Sequence, residues 1–130
     1  MNSVEAMTTK LSTIQKKHNL NEVYRVDEKG AGGAHHKYKI TRNKYAPFEE
    51  VVIAEIEFQH GARNMSESTT GVTDQDLLEI VRDRLSCFCE GDLPSRETSM
   101  ALCHVEEALM WLNKRIQDRA ERGVLGTNEK

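Results

Sequence analysis

The chain has 130 residues, 38% hydrophobic and 30% charged, with a mean hydropathy of -0.63, which is the range of one small domain. No run of about 18 apolar residues occurs, and the start MNSVEAMTTKLSTIQKK lacks the charged-then-apolar layout of an export signal, so no membrane span and an intracellular protein are expected. A net charge of -3 disfavours a general DNA binder, whose affinity comes from Lys and Arg displacing counterions.

Val4, Met7, Leu11 and Ile14 step by three and four, so the first 20 residues form a short amphipathic helix or a loosely held arm. A sheet is expected from about residue 22 to 60. VYRV gives a first strand, a loop runs through Gly30-Ala31-Gly32-Gly33, and HKYKIT gives a second, with Tyr38 and Ile40 alternating with lysines. A third and longer strand follows Pro47 in EEVVIAEIEF, where Val52, Ala54, Ile56 and Phe58 share one face.

From residue 73 the period becomes helical. Thr73 is an N-cap type, followed by Asp74 and Asp76, whose charges suit a helix start, and the stripe is Leu77, Leu78, Val81, Leu85 and Phe88. Gly91 and Pro94 stop this helix, Ser95 caps the next, and Leu102, Val105, Leu109, Leu112 and Ile116 run to an end at Gly123. The fold class is therefore α+β: a small antiparallel sheet and then a helical hairpin over about 73–122, within one domain from residue 21 to 130. With three Phe, three Tyr and one Trp, large apolar bulk is scarce, and the second helix is too long for the first to cover. Both features point to an oligomer.

Chemistry-bearing patterns are sparse. Cys87, Cys89 and Cys103 make an odd number suited to reduced thiols, and no CxxC or HxxxH spacing announces a metal. No nucleophile elbow is present, and Gly30 to Gly33 joins two strands without the GK[ST] ending of a phosphate loop. No enzyme, metal or cofactor is expected. His35, His36 and His60 sit beside glycines, where they either contact a polar ligand or are solvated.

The second helix ends in WLNKRIQDRAERG, with Arg115, Arg119 and Arg122 along one stripe. Like charges at that spacing repel, although the helix C-terminus favours cations and Asp118 is within reach of Arg115 and Arg122. No acidic residue stands three or four positions from Arg119. Arg115 and Arg119 are either helix-end charges or a clamp for a compact dianion, because guanidinium forks bind phosphate oxygens in pairs. Phe88 is either core at the hairpin tip or a stacking aromatic.

The stretches VYRVDEKGAGGAHHKYKIT, EIEFQHGARN, GVTDQDLLEIVRDRLSCFCEG and EEALMWLNKRIQDRAERGVLGT, spanning Asn21 to Thr127, resemble the phage Thoeris anti-defence sponge family. That family shares its helical hairpin with phage anti-CBASS sponges. The resemblance implies a non-enzymatic protein, acting in the cytoplasm of the bacterial host, that sequesters cyclic ADP-ribose isomers. In some members cyclic di- or trinucleotides bind at a separate site. It implies a hexamer built as a trimer of dimers. It maps the family's aromatic to Phe88 and its arginine pair to Arg115 and Arg119, while the cyclic oligonucleotide site falls on Gly61, Ala62 and Arg63, with His36 grouped beside them. The turn GDLPSRETS, carrying Pro94, departs from the family's pattern, so its polar contact is left unassigned. A helical-hairpin adaptor for another protein, with no nucleotide ligand, is the alternative.

Overall fold

The computed structural model describes residues 8–43 and 50–123. The chain falls into two compact units, one of residues 1–61 with 67–71 and one of residues 62–66 with 72–130.

The first unit is an antiparallel meander of four strands, β1 (Thr9–Lys10), β2 (Asn21–Arg25), β3 (Lys37–Arg42) and β4 (Val52–Glu57), hydrogen-bonded in that order. The alternation seen in the sequence sets the register. Val23 pairs with Ile40, Tyr38 with Ile56, and Ile40 with Ala54, so the apolar residues line one face. Lys37 faces Glu57 and Lys39 faces Glu55 on the other, placing opposite charges side by side. A register shift between Ile40 and Thr41 marks an irregularity, and Thr41 is the fully buried side chain among the described residues. Tyr38 packs edge-on against Phe58 at 5.7 Å between ring centres.

The N-terminal segment corrects the helical reading. Val4 and Met7 lie outside the described residues, as does Pro47. Thr9 and Lys10 form a strand on β2 instead, opposite Arg25 and Tyr24, and Ile14 stands 99% exposed. The physical reason is competition for backbone partners. Thr13 Oγ1 donates to the Gln15 carbonyl at 2.8 Å and Asn19 Nδ2 to the same carbonyl at 2.9 Å, so short polar side chains take the bond that a helix would need.

The second unit holds the hairpin of α1 (Asp74–Glu90) and α2 (Arg96–Glu121). The expected caps are in place. The Thr73 hydroxyl accepts from the Asp76 N–H at 3.3 Å while the Thr73 N–H donates to the Asp76 carboxylate at 2.9 Å, a reciprocal capping box. The Ser95 hydroxyl accepts from the Thr98 N–H at 3.0 Å, and Gly123 turns the chain out of α2 at φ 75°, a conformation that suits glycine. The apolar stripe of α2, from Leu102 to Ile116, is half-buried, but no residue of either helix is fully buried. Ile80, Val81, Met110 and Trp111 are 59%, 42%, 70% and 64% exposed, so both helices leave apolar side chains uncovered.

Candidate functional site

Two inter-helix contacts fix how the hairpin closes. Arg82 Nε reaches Glu106 Oε2 at 3.0 Å, and Cys89 Sγ lies 3.6 Å from Ser99 Oγ. Seven residues along α1 thus match seven residues back along α2. Continuing that register, Phe88 stands level with about Met100, and Arg115 with about Thr73 at the start of α1. At about 1.5 Å per residue, roughly 22 Å of helix separates Phe88 from Arg115 in one chain, and more separates it from Arg119. The hairpin therefore does not bring the aromatic and the arginine pair together within a single copy.

At the arginine end, Trp111, Lys114, Arg115, Asp118, Arg119 and Arg122 line an open cavity of about 510 Å³. They recur at steps of three and four, so all six project from one face of α2. Arg115 is exposed and Arg119 half-buried. Asp118 Oδ2 pairs with Lys114 Nζ at 3.3 Å, which offsets the one negative charge of this face. At the hairpin tip Phe88 is 47% exposed, so it is not core within this chain, and the Arg84 guanidinium sits over its ring at 5.4 Å. Arg84 lies one turn before Phe88, as Trp111 does before Arg115. That spacing was the available signal for both residues, and sequence reasoning gave neither a role.

The second set of expected residues divides between the units. His36 and Gly61 belong to the sheet unit, whereas Ala62 and Arg63 belong to the helical unit. His36 is 8% exposed, stacks on His60 at 4.3 Å between ring centres, and its Nδ1 has no hydrogen-bond partner among the described residues. Asp27 holds the segment: its carboxylate accepts the His36 N–H at 2.9 Å, and its carbonyl oxygen lies 2.8 Å from His35 Nδ1. A carbonyl only accepts, so that contact makes Nδ1 the protonated nitrogen of His35. Gly30 packs against this pair so closely that a β-carbon there would meet the His60 ring at 3.1 Å. Gly61 follows His60 with φ 79°. Among the described residues no group of three or more His, Cys, Asp or Glu is placed to hold a metal, and no helix is long and apolar enough to cross a membrane.

A capped two-helix hairpin carrying a cationic face beyond the reach of its shorter helix defines a class of helical hairpin domain. Residues 53–117 match the hairpin domain of Acb2/Tad1, and the chain belongs to that family. It is 44% identical over 78 residues to a protein of Bacillus phage SBSphiJ7 named Thoeris anti-defense 1, a stretch that covers 60% of this chain and 54% of that relative. The chain thus spans about half the length of the relative it matches. Phe88, Arg115, Gly61, Ala62 and Arg63 fall inside the family match, while Arg119 and His36 fall outside it.

Proposed function

We propose that this chain is a phage anti-defence protein that binds a cyclic ADP-ribose isomer and holds it intact, as a sponge. The observation that carries this reading is the face of α2 on which Arg115 and Arg119 border a cavity of about 510 Å³. Paired guanidinium groups match the oxygens of a diphosphate, and an open face of this kind becomes an enclosed pocket when a partner covers it.

The distance between Phe88 and the arginines makes the complete site a property of two copies. In a two-fold dimer with antiparallel hairpins, Phe88 of one protomer comes level with Arg115 and Arg119 of its partner, and symmetry repeats the site. The two-fold axis then falls near the middle of α2, where Met110 is 70% exposed. Covering that side chain would recover apolar burial that the hairpin alone lacks. Higher assembly into a hexamer belongs to the same reading. Within this site Phe88 stacks on the adenine, the arginines hold the diphosphate, and exclusion of water by the partner strengthens both contacts.

The test is capture and release. The purified protein is incubated with a ribose-linked cyclic ADP-ribose isomer, filtered and heat-denatured, and the released nucleotide is analysed. Intact recovery supports the sponge, an altered product supports a hydrolase, and free ligand in the first filtrate supports the protein adaptor. Cyclic di- and trinucleotides run as competitors. Retention without displacement of the isomer would favour a separate site.

A further inference from the structure

We infer that Trp111 is the base-stacking platform of the arginine site, so that one chain alone presents an aromatic face and a dianion clamp to the same nucleotide. This rests on the reading of the α2 face as a nucleotide site. Trp111 is the aromatic in the lining of that cavity, and its side chain is 64% exposed. Phe88 of the same chain, roughly 22 Å away along the hairpin, does not reach what Arg115 holds. Trp111 stands one turn before Arg115, a rise of about 6 Å, comparable to the span of a ribose between its base and its phosphate. A purine laid on the indole therefore places its diphosphate at Arg115 and Arg119. The Lys114 to Asp118 ion pair at 3.3 Å keeps the intervening carboxylate from repelling that charge. A base has two faces, so the platform leaves one face for Phe88 of a partner.

The chain has one tryptophan, and its emission reports this position alone. A ribose-linked cyclic ADP-ribose isomer is expected to quench that emission, whereas inorganic pyrophosphate, which has no base, leaves it unchanged. By calorimetry Trp111→Ala weakens isomer binding by about 10- to 100-fold, the span set by loss of one stacked base. Trp111→Phe keeps affinity within about 3-fold, because a smaller ring still stacks. Pyrophosphate binds the wild type and both variants alike, which controls for folding and for the arginines. Equal isomer affinity in the wild type and Trp111→Ala, or isomer binding with undisturbed emission, overturns the platform and leaves the nucleotide reading standing. Emission that follows protein concentration and not ligand makes Trp111 a subunit contact and overturns it also. If calorimetry finds no isomer binding to the wild type, the nucleotide reading itself fails, and the platform with it.

Discussion

Arg115 and Arg119 carry the ligand hypothesis at the level of single side chains. Charge-assisted hydrogen bonds contribute about 1.5–3 kcal/mol each, so Arg115→Ala and Arg119→Ala are each expected to weaken isomer binding by about 10- to 100-fold while leaving the sedimentation behaviour unchanged. Unaltered affinity in both variants would remove the site. Arg115→Lys keeps the charge but not the fork, and is expected to restore only part of the loss. A second residue prediction concerns pH. The Tyr24 phenol donates to the Glu22 carboxylate, and this bond, then burial, then the negative charges of Glu22 and Glu50 push its ionisation up to about 12. The folded state therefore holds the phenolic proton more tightly than the unfolded chain, whose tyrosines ionise near 10. The resulting stability is fully present below about pH 10 and is lost as pH rises toward about 12. Alkaline unfolding of Tyr24→Phe should be less steeply pH-dependent across that window than that of the wild type, the remainder coming from the lysines and other tyrosines that ionise there; an unchanged profile would show that the bond to Glu22 is not maintained.

At the scale of elements, two junctions set the limits of the sheet and of the hairpin. Gly71 packs against the end of β4 so tightly that a β-carbon would lie 2.4 Å from the Glu57 carbonyl oxygen and 2.5 Å from the Phe58 carbonyl carbon, both rigid backbone atoms. Gly71→Ala forces the segment off the strand, and a fall in melting temperature with lost amide protection at Phe58 and Gln59 is expected. Thr73 caps α1 two residues later. Thr73→Ala removes one arm of the capping box and is expected to cost about 1 kcal/mol, read as a lower denaturation midpoint with an unchanged slope. The helix limits were legible beforehand because caps are local: Thr73, Ser95, Gly91 and Gly123 act on backbone groups within a few residues. The alternation in β3 and β4 was legible for a similar reason, since a period of two assigns faces without reference to a partner strand. β1 was not legible. Two residues show no period, and Thr9 and Lys10 become a strand only because β2 offers them backbone partners across a ten-residue loop.

For the whole molecule, the separation of Phe88 from the arginines changes what a binding site means. If the site is shared by two protomers, Phe88→Ala and Arg115→Ala each lose capture alone, yet mixing the two after dissociation should restore it. Half of the random dimers are then mixed, and each regains one of its two sites, so about a quarter of wild-type capacity returns. Recovery of none would place the site within one chain. Met110→Glu, on the exposed middle of α2, is expected to shift sedimentation toward smaller species, because a charge at an apolar contact is costly to bury.

The sequence by itself determined the strand and helix periods, the caps that bound α1 and α2, and the concentration of arginines at one helix end, because each depends on residues a few positions apart. Tertiary structure decided the rest. It pressed His36 against His60 beside Gly30, drew the N-terminal segment into the sheet, and set the hairpin register that carries Phe88 to the end opposite Arg115. Those relations join residues far apart in sequence through contacts that no local period records, and the last of them keeps Phe88 and Arg115 from meeting within one copy.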